Sequence, residues 1–151
     1  FPDRGVPSGA DLVVFDGFDQ LDKESAVRDF SGRTRGEVTR LIGGDPSSGI
    51  GGLWGIEELE VLEPPALQYY LEPFLRFLIA AEYSKPDEFT FWLSYHLSEV
   101  IRRRGPEIFT AAQREVLEEI ATHLADGCTE SDDWTLSIRA HCISLREWLA
   151  L

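Results

Sequence analysis

Basic residues are scarce in this chain. Of 151 residues only 14 are Lys or Arg, against 27 Asp and Glu, so the formal charge is −13. Nucleic-acid backbones are gripped by clustered Lys and Arg. The one basic run, Arg102-Arg103-Arg104, sits where a helix is expected to end, and cations there complement the helix dipole. No nucleic-acid partner is therefore expected. Cysteine is scarce too: Cys128 and Cys142 are too few for a disulfide framework and are expected to be free thiols in a reducing, cytoplasmic compartment. Apolar runs are only a few residues long, well short of the roughly 20 that cross a bilayer. No stretch has the layout of a secretory leader, and no membrane contact is expected.

Chemical signatures are missing as well. The glycine-rich segment at 43–55 lacks the G-x-x-x-x-G-K-[ST] phosphate cradle. There is no G-x-S-x-G nucleophile elbow, no H-E-x-x-H and no Cys-His zinc pattern. His96 and Glu99 are three apart and Glu119 and His123 four apart, so each pair shares a helical face. Neither pair has the Glu-x-x-His form of di-iron bundles. No catalytic residue, metal or cofactor is assigned, and the chain is not expected to be an enzyme.

What is present is an ordinary globular composition, 43% apolar and 27% charged, with strong helical periodicity. Length suits a single helical domain, 1–151. Residues 1–18 read as irregular, and Leu12-Val13-Val14-Phe15 as a short strand or packed extended segment. A helix is expected from Asp19 to Phe30, with Leu21, Val27 and Phe30 inward and Gly32 ending it. Thr34 and Glu37 form a capping box for a short helix burying Val38, Leu41 and Ile42, which Gly43-Gly44 stop. The loop at 43–55 and its edge carry Ile50, Leu53, Trp54 and Ile56, which should hold it against the body.

After Pro64-Pro65, the positions Leu67, Tyr70, Leu71, Phe74, Leu75 and Leu78 make an apolar stripe, with Gln68, Glu72 and Arg76 opposite and Pro73 inside. Ser84 should cap a fourth helix striped by Phe89, Trp92, Leu93, Leu97, Val100 and Ile101 and ended by Gly105-Pro106. Thr110 and Gln113 form a second capping box, ahead of Val116, Leu117, Ile120 and Leu124. Asp126-Gly127 stop that helix, and Ser131-Asp132-Asp133 open the last, striped by Trp134, Ile138, His141, Cys142, Leu145, Trp148 and Leu149. The fold expected is all-α, with five or six helices joined by short connections in an antiparallel, bundle-like arrangement. His96 and His123 are expected at the boundary and His141 in the core.

The acids are clustered. Glu57, Glu58, Glu60, Glu63 and Glu72 form one stretch with no base, and Glu115, Glu118, Glu119, Asp126, Glu130, Asp132 and Asp133 another. A field of one sign draws in an oppositely charged partner. The expected function is that of a non-catalytic acidic binding protein with a basic protein partner. Its candidate contacts are Glu57, Glu58, Glu60, Glu130, Asp132 and Asp133, with Trp54 and Tyr69 as aromatic anchors. One alternative is a small enzyme or ligand-binding domain with a pocket near Trp54, Tyr69, His96 and Glu99. Another is a regulatory or structural helical subunit.

The segment Leu67-Gln68-Tyr69-Tyr70-Leu71-Glu72-Pro73-Phe74-Leu75, with Phe30-Ser31-Gly32-Arg33 before it and Gln113-Arg114 after it, resembles a family of small bacterial helical proteins of unknown function. The likeness runs from Asp22 to about Ala125. That family usually has Leu-Pro directly, where this chain inserts Glu72. The resemblance implies a helical fold. Proteins of this small, acidic kind are similar, by analogy, to immunity proteins that bind and neutralise a cognate bacterial toxin.

Overall fold

A computed structural model describes residues 5–7, 12–13, 19–42, 55–80 and 88–151. Among these the chain is all-α, with six helices and one isolated antiparallel bridge, Val13 to Leu62. Two compact units, Phe1–Phe77 and Leu78–Leu151, account for its packing.

In the first unit, α1 (Gln20–Phe30) starts at Asp19, whose carboxylate accepts from the Asp22 N–H at 2.9 Å. Only Ala26 and Phe30 of α1 are buried. Leu21 is 72% exposed and Val27 is exposed too, against the expectation that both face inward. Leu21 lies half a turn out of phase with Phe30 at 100° per residue. The capping box forms: Glu37 Oε2 accepts from Thr34 N–H at 2.8 Å, and Thr34 Oγ1 accepts from Glu37 N–H at 3.3 Å. Helix α2 (Arg35–Ile42) buries Val38 and Ile42, while Leu41 is half-buried. Gly43-Gly44, the loop as far as Trp54, and Val14-Phe15 lie outside the described residues.

Leu12 and Val13 are buried, Leu12 at a bend and Val13 in the bridge to Leu62, and Leu12 C=O accepts from Glu63 N–H at 3.0 Å. Gly55 has φ +72°, and a Cβ there would come within 2.9 Å of Phe30 Cζ. Backbone conformation and close approach both require glycine at this position. Ile56, which follows it, is buried. A 3₁₀ turn (Glu57–Glu60) rests against α1.

Helix α3 (Pro64–Ala80) carries its whole expected stripe into the core. Gln68, expected on the outer side, is buried as well, because the first turns of α3 are covered on nearly all sides. The Tyr70 hydroxyl donates to Phe30 C=O at 2.6 Å and lies 2.9 Å from Arg33 C=O, which ties the α1–α2 turn to α3. Pro73 has no N–H, so the carbonyl four residues back, on Tyr69, loses its helical donor. Arg35 Nε donates to that carbonyl at 2.9 Å. The same guanidinium pairs with Glu72 at 2.8 Å and stands 4.5 Å over the Tyr69 ring. One side chain of α2 thus repairs the defect in α3.

In the second unit, α6 (Asp133–Leu149) packs against both α4 (Glu88–Arg104) and α5 (Ala111–Gly127). Gly105, φ +79°, ends α4 with its N–H on Ile101 C=O at 2.9 Å and leads into a 3₁₀ turn at Pro106–Ile108. The Thr110–Gln113 capping box is complete. The core takes Phe89, Leu93, Leu97, Val100 and Ile101 from α4, Leu117 and Leu124 from α5, and Ile138, Cys142, Leu145 and Leu149 from α6. Val116, Trp134 and Trp148, expected inward, are exposed at the edges of their stripes. Among the described residues no helix is long and apolar enough to cross a membrane.

Candidate functional site

The acidic candidates divide by environment. Glu60 and Tyr69 are only 8% and 5% exposed, so neither presents itself to a partner as the sequence reading expected. Tyr69 lies edge-on to Tyr70 with ring centroids 4.9 Å apart. Glu58 is half-buried, and desolvation pushes its carboxyl above the usual carboxylate range. Glu57 is exposed, and Trp54 lies outside the described residues.

In the second unit the acids do face water. Glu115, Glu118, Glu119 and Asp126 line the solvent side of α5, where with Thr122 and His123 they border an open concavity of about 360 Å³. No Lys or Arg occurs from Glu115 to Ile138. The band continues through exposed Glu130, Asp132 and Asp133 to the start of α6. Asp132 is the N-cap. Its carboxylate accepts from Thr135 Oγ1 at 2.7 Å and from the N–H groups of Trp134 and Thr135 at 3.1 and 3.0 Å. The Thr135 bonds hold its carboxyl below the ordinary range. Asp133 belongs to the first turn of α6, outside the cap.

At Trp134 the acidic band meets an aromatic ridge. Trp134 stacks on Phe91 of α4, centroids 4.3 Å apart and planes at 19°. Phe91 meets Trp92 edge-on at 5.1 Å and His141 at 5.2 Å. Tyr95 meets His141 at 5.4 Å and His96 at 5.1 Å. His141, expected in the core, is half-buried, and burial lowers its pKa while Glu99 pulls the other way. His96, expected at the boundary, is buried. Sequence reasoning missed this ridge. The available signal was the pair of adjacent aromatic doublets in α4, Phe91-Trp92 and Tyr95-His96, four residues apart, of which only Trp92 belongs to the stripe.

The alternative pocket is not assembled within either unit. Tyr69 belongs to the first unit, His96 and Glu99 to the second. Glu99 is gripped by Arg102, with oxygens 2.9 and 2.7 Å from its Nε and Nη2, and by Arg103 at 3.3 Å. Those arginines hold the Glu99 carboxyl low. Ser94 Oγ lies 3.4 Å from His141 Nδ1 but donates to Phe91 C=O at 2.9 Å, and Ser94 is 2% exposed. That is poor geometry for a nucleophile and its base. Both cysteines are buried, and desolvation raises their thiol pKa values, Cys142 to about 12, which makes weak nucleophiles. No group of three His, Cys, Asp or Glu among the described residues converges as a metal site would require. No family model, curated protein or solved structure matches this chain.

Proposed function

We propose that this is a non-catalytic binding protein of the immunity type, which neutralises a cognate bacterial toxin in the cytoplasm by covering a basic surface of it. One observation carries the reading: the solvent face of α5 is acidic at Glu115, Glu118, Glu119 and Asp126 with no Lys or Arg among them. Like charges three and four residues apart on a helix each cost about 0.2–0.5 kcal/mol. A basic partner relieves that repulsion on binding. A one-signed surface also speeds encounter, to about 10⁸–10⁹ M⁻¹s⁻¹ at low salt. The reading moves the weight of the interface from Glu57, Glu58 and Glu60, of which only Glu57 is exposed, to α5 and the Glu130–Asp133 loop, where every acid is exposed.

The experiment is co-expression with the product of the gene adjacent to this one, after that product alone is shown to kill the cells; a harmless neighbour counts against the immunity reading. Cells survive with the unaltered protein and die with the pair Glu118→Lys and Glu119→Lys, although the variant stays folded. Equal survival with both proteins removes the acidic face of α5 from the mechanism. Death with both removes the immunity reading itself.

A further inference from the structure

The aromatic ridge lies at the end of the acidic band and is itself bordered by acids. Trp92 Nε1 lies 3.4 Å from Glu88 Oε1, so a carboxylate stands at one end of the row. Asp133, exposed in the first turn of α6, immediately precedes Trp134 in sequence and adds negative charge there, while its neighbour Asp132 is committed to the cap. No Lys or Arg interrupts α4 before Arg102 or α6 before Arg139. Trp134 remains 39% exposed although it stacks on Phe91, and Phe91, Trp92 and Tyr95 are half-buried. Core packing alone does not require a tryptophan at the lip of a stripe whose buried members are Ile138, Cys142, Leu145 and Leu149.

We infer that the Phe91–Trp92–Trp134 ridge, bordered by Glu88 and Asp133, docks an arginine-bearing segment of the basic protein partner. The guanidinium forms a third layer on the Phe91–Trp134 stack, and the carboxylates of Glu88 and Asp133 supply the negative field that draws it there. Arginine suits this surface better than lysine. It is planar, stacks on aromatic faces, is weakly hydrated and donates in several directions at once, whereas an ammonium is a compact, strongly hydrated point charge. The inference rests on the proposed basic partner and names one contact with it.

The test uses the full chain and two probe peptides of equal charge, octa-arginine and octa-lysine. Octa-arginine is expected to bind about two- to fivefold more tightly and to shift the indole N–H resonances of Trp134 and Trp92. Trp134→Leu should abolish the preference for arginine, octa-arginine losing more affinity than octa-lysine. Glu88→Gln and Asp133→Asn should each weaken octa-arginine binding about twofold. Glu118→Gln with Glu119→Gln should weaken both peptides alike and keep the preference. Equal affinity for the two peptides, or unmoved Trp134 and Trp92 signals in the unaltered protein, overturns the ridge and needs no variant to fold. The immunity reading is judged separately by cell survival, so either can fail alone.

Discussion

Arg35 sits under a defect that Pro73 creates, and its value can be separated from ordinary surface pairing. The guanidinium donates to the Tyr69 carbonyl that Pro73 leaves without a helical partner, and Glu72 holds it in place. Arg35→Ala should lower stability by about 1.5–3 kcal/mol, the range for hydrogen bonds to charged groups. Restoring the missing N–H with Pro73→Ala should shrink that loss by at least about 1 kcal/mol, read from a double-mutant cycle in urea. If the loss is the same in both backgrounds, the carbonyl is not what Arg35 serves. Tyr70→Phe keeps the ring and removes a hydroxyl that answers two backbone carbonyls, so a loss of about 1–3 kcal/mol is expected from the same measurement. Cys128 and Cys142, buried with raised thiol pKa values, should resist an aromatic disulfide reagent at pH 8 in the native protein. Both should react at once in guanidinium. Rapid reaction of the native protein at Cys142 would contradict its burial.

Helix α5 is legible in the sequence at both ends. Thr110 and Gln113 cap it reciprocally, and Asp126-Gly127 bring it to the Cys128 cap. Its middle carries acids on the exposed side and Leu117, Ala121 and Leu124 on the buried side. The same repulsion that supports the binding reading predicts that Glu118→Lys with Glu119→Lys raises the stability of the isolated protein, by about 0.5–1 kcal/mol, seen as a higher Tm. A lower Tm would mean that these acids stabilise the fold.

Where α4 meets α6, His141 sets a pH dependence. Burial depresses its pKa below the ordinary 6.5, so the unfolded chain takes up the proton first. Stability is then fully present above about pH 6.5 and falls as pH drops from 6.5 towards the folded value. His141→Gln should flatten that part of the profile in thermal melts; an unchanged slope would mean His141 is not its source. Further down, Glu37, Glu99 and Asp132 have depressed carboxyl pKa values, Asp132 chiefly through its Thr135 bonds and Glu99 through Arg102. Their contribution is present above the ordinary carboxylate values and is lost as pH falls through the folded ones.

Among the described residues periodicity located the six α-helices, and capping chemistry the starts of α2, α5 and α6, because both are local: a helix is recognised within one or two turns of sequence. Ser84, expected to cap α4, lies outside the described residues. The errors concern sides rather than elements. Leu21, Val27, Val116, Trp134 and Trp148 face water, and Gln68, Tyr69, Glu60 and His96 are buried. Apart from Leu21, on the far side of α1 from Phe30, and Glu60, in a 3₁₀ turn, each lies at the edge of a stripe or next to it, where one neighbouring helix more or less decides burial. A single sequence does not say how many neighbours an element has. The same limit governed the candidate interface. The acids of 57–60 and those of 115–133 look alike as text, yet one set folds into a partly buried 3₁₀ turn and the other onto an open helix face.

Charge sign, helical class, cap positions and the defect at Pro73 follow from the order of residues, since each depends on groups within a few positions of one another. Which acids meet water, that Arg35 comes from α2 to answer the Tyr69 carbonyl, and that Phe91 finds Trp134 were settled by packing. Each of those outcomes joins groups from distant parts of the chain, and such a pairing exists only once the helices have chosen their neighbours.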